Sequence, residues 1–349
     1  MTQSNTPNGH GDRANPNDEG RGRRVRSLSP TSPPEGESDK VSLRDAHVKV
    51  SVCIPTYNTA EYLGQAIESV LEQNYPDFEI VIVDNCSTDQ TDALVSTMLK
   101  AGNGNIRFFK NETNIGLVGN LNRCLDHATG AYVKFLCADD LLLPGCLQQM
   151  AAGLDSHQSV KLVSSSRLLI DEHGNHLGAR EYAAGDTIVP GHQAITRCLF
   201  GGNYIGEPTA VMFRKNDLKG YFREDMPQLS DMEMWFKLLE QGDLLNLAKP
   251  LCAIRSHAAQ MTHANVRSSR IVEDNIKIFD IYSPKPYLKT TLLLSLRHKL
   301  LMTYRVWKSR KYLLDGEKKM VLSRYASRWA YPLMPVVWLM LELKKRLAG

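Results

Sequence analysis

The chain has 349 residues, room for one large domain or two modest ones, and its 42 basic and 38 acidic residues leave a net charge of only +4, too even for a nucleic-acid partner held by bulk charge. Its seven cysteines (Cys53, Cys86, Cys124, Cys137, Cys146, Cys198, Cys252) are odd in number and scattered without a CxxC pair, which excludes a disulfide framework and a zinc knuckle and fits reduced thiols. No apolar stretch of signal-peptide type opens the chain, so a cytoplasmic location is the expectation.

Residues 1–46 are rich in Asn, Pro, Gly, Ser and Arg with almost nothing to bury, and are expected to form a disordered tail in which RGRRVR is solvated. From Val48 the pattern changes. Val48, Val50, Val52 and Ile54 alternate with Lys49, Ser51 and Cys53, which predicts a strand. Leu63, Ala66, Ile67, Val70 and Leu71 fall on one face of a predicted helix, with Asn58 and Glu61 spaced as a capping box at its start. EIVIVD is a continuous apolar run suited to a strand buried on both faces, ending on Asp84. Leu94, Val95, Met98 and Leu99 predict a second helix, IRFF a third strand, Leu117 to His127 a third helix, and YVKFL a fourth strand. Strand and helix alternating in this way predict a doubly wound α/β sheet.

Ligands of such sheets sit beyond the carboxyl ends of the strands. PTYN, DNCSTD and CADD all fall there, so Asp84, Asp139 and Asp140 are expected to converge on one crevice. Carboxylates gathered in a crevice hold a cation or hydrogen-bond a sugar; by themselves Asp139 and Asp140 also read as caps for the helix that opens near Pro144. The first turn is IPTYN, without the glycines of a dinucleotide fingerprint, and no GxxxxGK[ST] occurs. Phosphates would therefore be neutralised by basic side chains and by a hard cation, Mg2+ or Mn2+.

The stretches VSVCIPTYNTAEYLGQAIESVLEQNYPDFEIVIVDNCSTDQT and NETNIGLVGNLNRCLDHATGAYVKFLCADDLLLP resemble the inverting family 2 glycosyltransferases of GT-A fold, from about Val48 to His263. The resemblance implies transfer of a sugar from a nucleotide-sugar donor to a hydroxyl of a glycan or lipid-linked acceptor, in bacterial-type surface polysaccharide synthesis. It implies that Pro55, Thr56 and Tyr57 form the first nucleotide-binding turn and that Asp84 and Asn85 hold base and ribose, although Tyr57 also reads as a packed aromatic and Asp84 as a cap. Asn114, Gly116 and Asn122 match the segment that shapes the donor pocket. Lys134 points either to solvent or to the nucleotide. Asp139 matches the ribose carboxylate and Asp140 the metal ligand, while Cys137 stands in the first place of a strict DxD. Glu207, in GEPTAVMFRK, is placed on the acceptor side or on a surface turn.

Inverting transfer needs a base for the acceptor hydroxyl. The resemblance assigns it to Asp231 in LSDMEMW, with Glu233 as the second candidate; both are also first-turn residues of an amphipathic helix, favoured there by its dipole. Arg255 and His257, in AIRSHAAQMTH, match a late segment that contacts the diphosphate and the metal. No QxxRW of processive members occurs, so single addition is expected. A sugar-phosphate nucleotidyltransferase and a catalytically silent carbohydrate-binding protein on the same fold are the alternatives.

The domain from 47 to 265 is expected to be followed by a basic helical region, 266–349. Residues 285–349 carry fifteen Lys and Arg against three acidic residues. AYPLMPVVWLML is too short to span a bilayer. It is expected to lie on an anionic membrane surface at the inner face of the cytoplasmic membrane, or to pack on the catalytic domain.

Overall fold

In the computed structural model the described residues are 48–102, 105–257, 270–311, 313 and 315–339. The expected tail over 1–46 lies outside them.

The predicted repeat forms. Strands β1 (Val50–Thr56), β2 (Phe78–Asp84), β3 (Ile106–Lys110) and β4 (Tyr132–Phe135) lie side by side in the order β3-β2-β1-β4, all parallel. Helices α1 (Ala60–Leu71), α2 (Thr91–Lys100) and α3 (Gly116–His127) make the crossovers. The alternation in β1 does not mark a wet face, because all seven of its residues are buried. Val50, Val52 and Ile54 pack under α1 and α2, and Cys53 packs under α3. Ser51 is tolerated because its hydroxyl donates to Glu79 at 2.6 Å, and Glu79 in turn accepts from Arg107 and from the Thr129 N–H, so both of these buried side chains are paired.

Beyond β4 the sheet turns mixed. After β5 (Leu141–Leu142) and α4 (Cys146–Ser156) come β6 (Val160–Ile170), β7 (His176–Arg180), β8 (Thr187–Val189) and α5 (Gly191–Gly201). They are followed by β9 (Val211–Arg214), α6 (Ser230–Leu239) and β10 (Asp243–Arg255). The main path of the 10-stranded sheet reads β3-β2-β1-β4-β9-β6-β10-β5, with β9 antiparallel to both β4 and β6. Pro250 has no N–H for the ladder, and the β6–β10 register shifts on either side of it.

Three further helices follow: α7 (Arg270–Tyr282), α8 (Leu292–Lys308) and α9 (Asp315–Arg324). The expected boundary at 265 falls outside the described residues, but α7 and α8 do not stand apart from the sheet domain. Tyr282 meets Phe236 of α6 edge-on at 4.9 Å, Phe279 meets Phe200 of α5 at 5.9 Å, and His298 of α8 stacks on Phe279 at 3.7 Å. The helical extension thus supplies part of the layer that covers one sheet face. Among the described residues no helix is long and apolar enough to cross a membrane.

Candidate active site

The carboxyl ends of β1, β2 and β4 bring the three predicted segments to one edge. The first two are laced together. Asn58 adopts a left-handed φ of 51°, its side-chain oxygen accepts the Thr88 N–H at 2.8 Å, and its own N–H donates to the Ser87 hydroxyl at 2.8 Å. The expected capping box is therefore absent. Asp89, from the neighbouring loop, caps α1 instead by accepting the Ala60 N–H at 3.0 Å.

Several predicted donor contacts prove to be the frame of these loops. Asn85 is buried and saturated: its amide donates to Asn114 at 2.9 Å and to the Gly116 carbonyl at 3.2 Å, and its oxygen accepts from Asn111 and the Ile115 N–H. No capacity is left for a ligand. Asp84 is fully buried and folds back on Ser87, accepting its N–H at 3.2 Å and its hydroxyl, so the cap reading describes it. Pro55 and Thr56 are buried in β1, where the Thr56 hydroxyl meets Thr59 at 2.6 Å. Asn122 is bonded both ways to the Phe222 backbone, at 3.1 and 2.9 Å. Asn120, which the sequence did not single out, donates to the Val83 carbonyl at 2.9 Å behind the crevice. Tyr57 is 46% exposed and is no packed aromatic.

Lys134 reaches neither solvent nor nucleotide. It is fully buried and donates to the Thr209 carbonyl. Arg255 is likewise buried and committed: its guanidinium donates to the carbonyls of Asp139, Asp171 and Glu172 and to Gln65, and stacks over Tyr62 at 4.8 Å. These bonds clamp the CADD turn from behind.

The turn itself gathers Cys137, Asp139 and Asp140, whose ligating atoms lie within 4.8 Å of one another. The two aspartates differ in how they are held. Asp140 is buried and held on both oxygens, by the Thr209 hydroxyl at 2.6 Å and the Arg255 N–H at 2.9 Å. Asp139 stays partly exposed and faces His257, whose Nε2 lies 3.0 Å from its carboxylate. Burial, and then the charge of Asp139, push Asp140 well above the usual carboxylate range; desolvation and both carboxylates raise the Cys137 thiol as well. A divalent cation relieves that repulsion, so the donor set fits one. Cys137, Asp139 and Asp140 are the residues whose ligating atoms converge there, with His257 bonded to Asp139. Residues 258–269, with the rest of AIRSHAAQMTH, lie outside the described residues.

Asp231 opens α6. It accepts the Met232 N–H at 2.7 Å and the Asn203 amide at 3.3 Å. Burial pushes its pKa up to about 7, against the pull of the Met232 N–H and with the charge of Glu207 adding to the rise. Glu233 is no rival: it is buried and paired with Lys237 at 2.9 Å. Glu207 is no free turn residue either, since Arg167 holds it at 2.6 Å and Arg180 at 2.7 Å.

One segment joins the two centres. Asn203 holds Asp231, the Gly206 carbonyl accepts the Trp235 indole N–H at 3.1 Å, and Thr209 holds Asp140. Sequence reasoning missed Asn203, Thr209 and Arg167; the signal for the first two was the neighbourhood of GEPT, where Gly206 has a φ of +129° and a Cβ would lie 2.7 Å from Ala210, and Arg167 in β6 had none.

Residues 51–222 match the family model described as glycosyl transferase family 2. A putative glycosyltransferase, EpsE of Bacillus subtilis, is 32% identical over 195 residues, 56% of this chain and 68% of the relative. The chain belongs to glycosyltransferase family 2. The fold of this glycosyltransferase is similar to S. aureus TarS 1–349 in complex with UDP-GlcNAc, with TM-score 0.55 at 22% identity, over 82% of this chain and 78% of that one. It is also similar to mannosyltransferase PcManGT from Pyrobaculum calidifontis in complex with GDP-Man and Mn2+, with TM-score 0.53 at 18% identity, over 87% and 83% of the two chains. The sheet is thus the GT-A sheet, and family membership sets the nucleotidyltransferase and silent-binder alternatives aside.

Proposed function

We propose that this glycosyltransferase moves a sugar from a nucleotide-sugar donor to a hydroxyl of a glycan or lipid-linked acceptor, with inversion and with Mg2+ or Mn2+. Its setting is bacterial-type surface polysaccharide synthesis at the inner face of the cytoplasmic membrane. The observation that carries the reading is the Asp231 carboxyl, poised at about 7 on the segment that also braces the CADD turn. A base with that pKa is ionised in half or more of the molecules at neutral pH and is still basic enough to take a hydroxyl proton.

In the proposed reaction Asp231 accepts the acceptor hydroxyl's proton as that oxygen bonds to the anomeric carbon and the bond from that carbon to the nucleotide's diphosphate breaks. The proton ends on Asp231 and the electron pair on the diphosphate; a single displacement inverts the centre. Asp139 and His257 would hold the cation, which supplies counter-charge to the departing diphosphate when bound. Tyr57 is the exposed ring against which a base would stack. The acceptor is the part that reaches the membrane, and the exposed Trp329, Leu333, Val336 and Leu339 would meet it.

The test is Asp231→Asn assayed with UDP- and GDP-sugars and Mn2+. Transfer should fall by about 10²- to 10⁴-fold, the usual worth of a positioned base, with donor affinity kept. Near-normal transfer in that variant would remove Asp231 from the role.

A further inference from the structure

Between α5 and the start of α8 lies a cavity of about 340 Å3 lined by His192, Gln193, Thr196, Arg197, Tyr287 and Arg297. Its chemistry is cationic. Arg197 lies over the rings of Tyr182 at 4.2 Å and Tyr204 at 4.7 Å, and Arg297 donates to the Tyr204 hydroxyl at 3.0 Å. Both guanidinium groups are thus oriented by aromatic surface, and among the described residues neither forms an ion pair with a carboxylate. The nearby acid, Glu240, is taken by Lys285 at 3.0 Å and by the Tyr287 hydroxyl at 2.6 Å. The end of α5 is cut to admit this arrangement: a Cβ on Gly201 would stand 2.6 Å from the Tyr204 ring and 2.9 Å from the Arg297 guanidinium. The Thr196 and Tyr287 hydroxyls are committed to the His192 carbonyl and to Glu240, which leaves two arginine forks and the Gln193 amide around one opening as the donor set of a phosphate site.

The helix that supplies Arg297 also carries a stripe of exposed leucines. Leu292, Leu293, Leu296 and Leu300 are 89, 75, 51 and 41% exposed, and their spacing puts them on one side of α8. His298, Met302 and Val306, on the other side, are buried. Arg297 and Lys299 flank the stripe. An apolar stripe edged by basic residues is the pattern of a helix that lies in a lipid interface. The cavity is linked to the acceptor side of the site through Arg297, which bonds Tyr204, the neighbour of the Asn203 whose amide holds Asp231.

We propose that this cavity takes the phosphate head of a lipid acceptor while the leucine stripe of α8 sits in the acyl boundary beside it. A soluble phosphate needs no leucines next to its site, and a diffuse attraction to anionic lipid needs no pocket; the two features together call for a ligand that has both parts. The proposal rests on the reading of Asp231 as the acceptor's base, since that is what gives the cavity its place on the acceptor's path.

The probes are phosphatidylcholine vesicles with and without phosphatidic acid, and glycerol phosphate in solution as the head without the tail. Wild-type protein should bind the phosphatidic acid vesicles, and R197Q/R297Q should lose about tenfold or more of that binding. L293S/L296S should lose it comparably. All four positions are exposed, so unchanged melting temperatures are expected and show that the variants fold. R197K/R297K keeps the charge and loses the planar forks; it should bind phosphatidic acid no better than phosphatidylglycerol, whereas the wild type prefers phosphatidic acid. Unchanged vesicle binding in R197Q/R297Q overturns the proposal. So does competition by glycerol phosphate as strong as that of vesicles, together with no effect of the leucine changes, because the ligand is then a soluble phosphate. UDP-GlcNAc and GDP-mannose titrations of the wild type separate this from the donor reading: no donor binding alongside intact, arginine-dependent vesicle binding overturns the donor reading and leaves the phosphate site standing.

Discussion

Asp231, raised to about 7, should impose an acid limb on transfer: the rate climbs with pH up to about 7 and then levels, and the limb disappears in Asp231→Asn. The same shift has a stability consequence. A carboxyl whose folded pKa lies above its unfolded value favours the folded state below the unfolded value, and that contribution is lost as pH rises through the folded value. The melting temperature of Asp231→Asn relative to wild type should therefore increase between acid pH and pH above about 7; a difference that stays flat with pH contradicts the shift. For the CADD turn, Asp139→Ala should abolish Mn2+-dependent donor binding in a chain that melts normally. Asp140→Ala should also lower the melting temperature, because the Arg255 N–H and the Thr209 hydroxyl lose their acceptor and an unpaired buried donor costs about 1–3 kcal/mol. The motif announces both aspartates, but which one is held from behind depends on Thr209 and Arg255, far away in the chain, and no local pattern records that.

At the level of elements, the segments with strong local periodicity were legible. β1 and β2 show as apolar runs, and α1 and α3 show as one-sided faces. What was not legible is how the mixed half of the sheet is threaded. The thirteen-residue β10, DLLNLAKPLCAIR, is interrupted by a lysine and a proline at a register shift, and β6, VKLVSSSRLLI, has a polar centre that only burial inside the sheet explains. The segment from Asn203 to Thr209 has no periodicity at all, yet it ties Asp231 to the CADD turn. Its key polar atom is the Thr209 hydroxyl, which accepts the Cys137 N–H at 2.9 Å while donating to Asp140. Thr209→Val keeps the shape and removes both bonds. It should destabilise the fold by roughly 1–3 kcal/mol and weaken Mn2+ affinity, measured by titrating the metal in a donor-binding assay; wild-type metal affinity would show that the turn holds its geometry without the segment.

Across the whole molecule the basic C-terminal region divides into a part that is core and a part that is surface. His298 belongs to the first. Packed between Phe200 and Phe279, it has its pKa pushed down to about 4 by burial and by the charge of Arg305, so the neutral ring helps hold α8 in place above pH about 6.5 and that help is lost as pH falls toward 4. Cutting the chain near Tyr282 would remove this helix and uncover Phe200 and Phe279, so loss of membrane binding in such a chain would report unfolding as readily as a missing anchor. The cut that separates the two parts is after Ser327. It keeps α8 and α9 with the buried Val321, Tyr325 and Ala326, along with the Ser327 N–H bonded to Thr303 at 2.7 Å, and removes Trp329, which is 93% exposed, and the apolar run that follows. A chain ending there should bind donor equally and melt somewhat below the full chain, because the buried Met334 is lost and Tyr331 and Trp338 no longer pack on α8. Its affinity for anionic vesicles should drop, because the tryptophans and the last basic cluster are gone, but not vanish, because the α8 leucines and Arg297 remain. Adding L293S/L296S to the shortened chain should remove the remainder. Raising salt should weaken the shortened chain less than the full one, since fewer basic side chains then face the lipid charge. If the shortened chain binds vesicles as tightly as the full chain at low salt, the run from Trp329 to Leu339 plays no part in membrane contact.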